Sequence, residues 1–135
     1  MGKFFKVFAL LFCIFIFCNE VIAQRDSFPI QMLGVKWFIV NIKVETLNVK
    51  YKRSRSLKNW MLFNKDNTFS SLEDGVPNSG KWNPKSGRTL EILDNEGTTF
   101  MKIISITTEK LTVQLAEGGG KWTEIKFSVL SAMSK

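Results

Sequence analysis

The chain has 135 residues, 44% of them hydrophobic and 23% charged, with 19 Lys and Arg against 12 Asp and Glu for a net charge of +7. It has no histidine, and its two cysteines, Cys13 and Cys18, both lie near the N-terminus. Histidine-dependent triads and zincin motifs are thereby excluded, and a chain that loses its N-terminus also lacks thiol catalysis and the usual zinc ligands.

At the N-terminus, Lys3 and Lys6 precede an apolar run from Val7 to Phe17, followed by polar Asn19 and Glu20 and then Val21-Ile22-Ala23. This is the pattern of a secretory signal peptide, with Val21 and Ala23 at the minus-three and minus-one places of the cleavage site. The run is well short of the ~20 apolar residues that span a bilayer. Cys18 follows Phe15-Ile16-Phe17 rather than a small residue, which argues against acylation. We therefore expect residues 1–23 to be cleaved and Gln24 to begin a mature chain of 112 residues. That chain would leave by the general secretory route as a soluble periplasmic or secreted protein. Loss of Lys3, Lys6 and Glu20 leaves 17 basic and 11 acidic residues, a net charge of +6. No cysteine then remains, so the fold must rest on a hydrophobic core even in an oxidising compartment. A single domain of this size buries on the order of 65% of the surface its unfolded chain exposes.

Residues 24–32 read as a short leader carrying Pro29, and residues 33–135 as the folded domain. In this domain the pattern has a period of two almost throughout. "GVKWFIVNIKVE" is rich in β-branched and aromatic residues, and "LNVKYK" alternates Leu47, Val49 and Tyr51 against Asn48, Lys50 and Lys52. Further strands follow as "KNWMLFN", "TFSSLE", "SGKWN", "RTLEILD", "TTFMKIISIT", "KLTVQL" and "KWTEIKFSVL". Turn-forming residues separate nearly all of them, and no adequate stretch keeps a helical period. The expectation is an all-β domain of about eight to nine antiparallel strands, an up-and-down meander closing into a barrel.

The turns set the register. In "FNKDNTF", a three-residue loop Lys65-Asp66-Asn67 would make Phe63 face Phe69, provided that Asn67 takes positive φ, which asparagine tolerates best after glycine. "DNEGT" places Gly97 where Asn67 stands, and "NPKSGR" reads as a four-residue loop starting at Pro84 and closing on Gly87.

In order and spacing, Gly34 and Trp37, the hairpin Phe63 to Phe69, Gly80 and Trp82, Leu90 and Ile92, and the stretch Ile103 to Val113 are shared features. Over most of the mature length the sequence resembles the lipocalin-like domain proteins exported by Bacteroidetes. It departs from them in having two residues between Gly34 and Trp37 and Asn67 in place of the hairpin glycine. The resemblance implies a small calycin-like barrel with an apolar pocket, and a first-strand tryptophan, here Trp37, plugging one end. It implies no particular ligand.

Chemistry is sparse. Asp66, Asp94, Glu96 and Glu109 fall in expected turns, where carboxylates bond their own backbone, and Glu73-Asp74 forms another acidic turn. "DNEG" lacks the ligand spacing of a calcium loop. We expect no enzyme, no cofactor and no metal site. "VKYKRSRSLK" sets Lys50, Lys52, Arg53, Arg55 and Lys58 within nine positions without an acid, a cluster suited to an anionic envelope component or an acidic protein partner. The bland reading is a solvated strand edge whose charges deter edge pairing. Aromatics are not interleaved with the run, and an exported protein rarely meets nucleic acid, so nucleic acid is not expected. "AEGGGKW" leads into a strand rather than a helix, so it is a turn and not a phosphate cradle.

Phe63, Phe69, Trp82, Phe100, Ile104, Ile125 and Phe127 are the candidate inward residues, joined by Trp37. A barrel of eight strands is filled by side chains or holds one small ligand, so the same residues serve a core or a pocket. Two functions follow. One is an exported, non-enzymatic, monomeric protein holding a small hydrophobic molecule inside the barrel. The other is an envelope or secreted interaction module, of inhibitor or immunity type, with a filled core and a basic outer surface.

Overall fold

The computed structural model describes residues 29–116 and 121–133. The candidate signal peptide, the first leader residues and the glycines of "AEGGGKW" lie outside the described residues.

Among the described residues nine strands form the domain: β1 Lys36–Val44, β2 Leu47–Lys50, β3 Trp60–Phe63, β4 Thr68–Glu73, β5 Val76–Pro84, β6 Thr89–Asp94, β7 Gly97–Ile106, β8 Lys110–Ala116 and β9 Trp122–Ser128. One helical turn, α1 Arg53–Ser56, lies between β2 and β3. Alternation of apolar and polar residues is what makes these strands: Leu90 and Ile92 of β6, Leu111 and Val113 of β8, and Ile125 and Phe127 of β9 are buried at every second position. All pairings between these strands are antiparallel, and β1 pairs with β9, so β1 and β3 to β9 close an eight-stranded up-and-down barrel with β2 appended to β1. Closure leaves those eight strands without an unpaired edge along most of their length.

The hairpin at one end forms as its sequence predicts. Phe63 pairs with Phe69, Asn67 has φ 66°, and the Asn64 N–H donates to the Thr68 carbonyl at 2.9 Å. Asp66 accepts from both the hydroxyl and the backbone N–H of Thr68, and these bonds hold its carboxyl below the usual range. The Phe63 and Phe69 rings are 6.3 Å apart, and Trp82 meets Phe63 edge-on at 6.2 Å while its indole N–H donates to the Asn64 carbonyl. Gly80 pairs with Phe69, and a Cβ there would stand 2.0 Å from the Leu93 carbonyl oxygen and 2.7 Å from the Phe69 ring. Glycine thus makes room for the aromatic wall.

Trp37 is fully buried and donates its indole N–H to the Met32 carbonyl at 3.0 Å. The short 3-10 helix Ile30–Met32 and the bond from Gly34 N–H to the Phe63 carbonyl fasten this segment beneath the Phe63–Trp82 end. Met32, inside the segment read as a leader, is fully buried in the core, so that segment's last residues belong to the folded domain.

Two turns differ from the sequence expectation. Asp94 pairs with Gly97, so the β6–β7 loop has two residues rather than three. Such a one-residue change turns every side chain of the following strand to the other face. Thr99 and Met101 therefore sit opposite Ile92 and Leu90, and Phe100 points outward. A β-bulge at Ile104, between Ile103 and Ser105, leaves Ile104 unpaired against β8. Phe100 and Ile104, each 42% exposed, are thus corrected from the interior to the outer surface. In "NPKSGR", Pro84 ends β5 and the Lys85 N–H donates to the Thr89 carbonyl, so the loop is Ser86-Gly87-Arg88 and not the expected four residues from Pro84.

Gly80→Ala should cost about 1–3 kcal/mol, because the added methyl meets backbone that cannot yield as a side chain does; chemical denaturation measures it. On β7, Met101→Ala should cost about 2–5 kcal/mol and Phe100→Ala no more than about 0.5 kcal/mol. The reverse ranking would restore the three-residue turn.

Candidate functional site

The site begins with a bulge in β1. Ile39 pairs with Phe127 and Asn41 with Lys126, leaving Val40 as the extra residue. The bulge turns Asn41 outward and returns Ile42 to the inside, opposite Ile125. Asn41 also pairs with Lys50 of β2, so Lys50, Asn41 and Lys126 form one row across β2, β1 and β9. The Val40 carbonyl accepts from the Tyr51 N–H at 2.9 Å, which leads the chain off β1 and into α1.

Helix α1 is short because "RSRS" offers no apolar stripe; tertiary bonds hold it. Buried Asn59 donates through Nδ2 to the Arg55 carbonyl at 2.9 Å and to Asp74 Oδ1 at 3.1 Å, and its Oδ1 accepts from the Asp74 N–H. The Asn59 carbonyl accepts from the Ile39 N–H. One side chain thereby ties the helical turn to the β4–β5 turn, while its backbone ties it to β1.

Between α1, β2 and β9 lies an outward-facing groove of about 800 Å3. Lys50, Lys52, Arg53 and Lys126 line it, together with Asn41 and Ser56, and among the described residues no carboxylate does. Tyr51, Val40 and Met133 supply apolar wall. Met133 is buried outside the interior cluster, beyond the C-terminal 3-10 helix Leu130–Ala132 that touches β1. Among the described residues, the ion pairs Lys85–Glu91 and Lys121–Glu45 involve none of the four lining cations. Two side-chain oxygens at the groove, Asn41 Oδ1 and Ser56 Oγ, are buried and have no hydrogen-bond partner among the described residues.

The basic run is therefore divided by the fold. Lys50, Lys52 and Arg53 enter the groove. Arg55 instead stacks on the Tyr51 ring at 4.0 Å, and Lys58 is exposed in the turn after α1, outside the groove lining. Lys126, from a distant strand, completes the cluster, and no local run in the sequence announces it. Asn41 had a legible signal, being an amide inside the apolar strand "WFIVNIKV", where asparagine is disfavoured.

The barrel interior holds a second, smaller cavity of about 130 Å3. Phe69 and Ile125 line it with Ile92 and Met101. Trp37, Phe63, Trp82 and Phe127 pack within the buried core without lining this cavity, and Phe100 and Ile104 are outside. The six inward candidates are thus brought together mainly as packing. Among the described residues there is no group of three or more ligating side chains that could hold a metal ion, and no helix is long and apolar enough to cross a membrane.

Comparison with family models, curated proteins and solved structures yields no significant match.

Asn59→Ala should cost about 1–3 kcal/mol by leaving the Asp74 N–H without its acceptor and by removing the amide donor from Asp74 Oδ1 and from the Arg55 carbonyl, which keeps only the Lys58 N–H. Amide hydrogen exchange should quicken first at Ser56 to Asn59, ahead of the barrel strands; uniform quickening would mean that α1 is held by other contacts.

Proposed function

We propose that the protein is an exported, non-enzymatic binding protein that engages an anionic envelope component or acidic partner through the basic groove on the outside of its barrel. The observation that carries this reading is the gathering of Lys50, Lys52, Arg53 and Lys126 from three separate elements around one groove of about 800 Å3 that has no carboxylate in its lining among the described residues. Solvated edge charges, the bland alternative, need no such convergence. Export is supported by the pattern of residues 1–23, and a non-enzymatic role by the absence of histidine. The lipocalin-like resemblance accords with a closed eight-stranded barrel, though it brings no ligand with it.

The carrier reading rests on the interior cavity. At about 130 Å3 it suits a guest near the size of benzene, as engineered cavities of ~150 Å3 do, and falls below the ~300–1,000 Å3 of most ligand pockets. The volumes favour the outer groove.

Retention on a heparin column tests the proposal. The mature protein should bind at low salt and elute as salt rises, because screening shortens the reach of surface charge. Lys52→Glu together with Arg53→Glu should abolish retention without moving the unfolding midpoint, while Lys58→Glu should elute near the unaltered protein. Equal losses from both changes would assign binding to net charge and remove the groove from the account.

A further inference from the structure

Resting on the groove reading, we infer that its ligand is a sugar phosphate: a phosphate ester carried on a hydroxylated carbon frame. The cations alone would accept any anion, so the class is decided by the two unpartnered oxygens. Ser56 is 1% exposed, and its Oγ has no hydrogen-bond partner among the described residues, although the residue lines the groove. Buried polar groups are almost always paired, and a hydroxyl beside lysines and an arginine is matched by donating to a phosphate oxygen.

Asn41 Oδ1 makes the opposite demand. It is an acceptor and is repelled by an anion's oxygens, so a donor, such as a hydroxyl, is what a ligand can offer it. It lies in the row between Lys50 and Lys126, which places a need for a ligand hydroxyl within the same groove as the need for an anion. Inorganic phosphate has only P–O–H donors on the same small anion that the cations hold, and so reaches the second demand less well than a hydroxyl set apart from the phosphate. A sugar phosphate satisfies both, and Tyr51 and Val40 offer its C–H frame an apolar wall. The same chemistry is met in a free sugar phosphate and in a phosphorylated unit of a polysaccharide.

Calorimetric titration of the mature protein with glucose 6-phosphate, inorganic phosphate, glucose and a phosphomannan is the test. Glucose 6-phosphate should bind more tightly than inorganic phosphate, and glucose alone should not bind detectably. Ser56→Ala should weaken both phosphates while unfolding no earlier than the unaltered protein, since it removes an unpaired buried hydroxyl. Should that variant not fold, Lys126→Glu reads the same loss. Asn41→Ala should weaken glucose 6-phosphate about 2- to 10-fold, the worth of one hydrogen bond, and leave inorganic phosphate unchanged. Binding of phosphomannan but not of glucose 6-phosphate would identify the chain-borne source, and binding of both the free one. Inorganic phosphate binding as tightly as glucose 6-phosphate, or an equal effect of Asn41→Ala on both, overturns the sugar. No binding of any of the four, with heparin retention still lost on Lys52→Glu and Arg53→Glu, overturns the ligand class and keeps the groove, with phosphopeptides and anionic vesicles next. Retention that survives the reversal overturns both.

Discussion

Strand β1 has to satisfy three neighbours, and the bulge at Val40 is what allows it. Its first residues pair with β3, its later ones with β2 on the same side, and β9 runs along its other side to close the barrel. Strict alternation after Trp37 and Ile39 would send Asn41 inward and Ile42 outward. An amide in the core without a partner costs about 1–3 kcal/mol, and a lost isoleucine contact adds to it. With the bulge, Ile42 completes the interior opposite Ile125 and Asn41 is delivered to the surface between two lysines. The same residue of insertion therefore serves closure and builds the floor of the groove. It also frees the Val40 carbonyl for Tyr51, so that the chain leaves β1 beside the barrel rather than across its mouth.

What remains inside is packed unevenly. One end is filled by Trp37, Phe63 and Trp82 over Met32, each indole N–H satisfied by a backbone carbonyl, and Gly80 yields the space that Phe69 takes. The cavity lies away from that end, between Phe69, Ile92, Met101 and Ile125. Because this core is continuous, a domain whose residues 24–135 include no cysteine can hold its shape without disulfides. A closed barrel is also a sound support for a surface site, since the strands that present Lys50, Asn41 and Lys126 are paired with one another through β1.

The sequence was legible wherever one face of a strand was apolar and the turn residue had a conformational reason to be there. The strands appear where alternation and β-branched residues place them, and Asn67 fixes the Phe63–Phe69 pairing through its positive φ. Strand β7 was not legible in the same way, because "TTFMKIISIT" is apolar on both faces and only the turn decides between them. Reading "DNEGT" as three loop residues selects Phe100, whereas two select Met101, and pattern gives no further arbiter. Bulges at Val40 and Ile104 leave no local mark either. The basic run was visible, but its division was not: Lys126 and Asn41 join it only through strand register, and Arg55 departs from it to stack on Tyr51.

The electrostatics of the groove connect its construction to its use. In water, like charges 4–8 Å apart repel by only about 0.5–1 kcal/mol a pair, and salt reduces that further over ~8 Å. A barrel with a continuous core tolerates such a cluster without any counter-charge of its own. A dianion entering the groove would add an attraction to each cation that offsets their mutual repulsion, and wherever it displaces water that attraction strengthens, as Coulomb energies rise when the local dielectric falls. Ser56 is buried and Asn41 half-buried, and polar groups shielded from water gain more from a hydrogen-bonding partner than exposed ones do. In the proposed binding, the cations would set the approach and its salt dependence, whereas Ser56 and Asn41 would set which anion stays. That division of labour requires Ser56 to be held at a fixed depth, which Asn59 provides by clamping α1 to the β4–β5 turn and to β1.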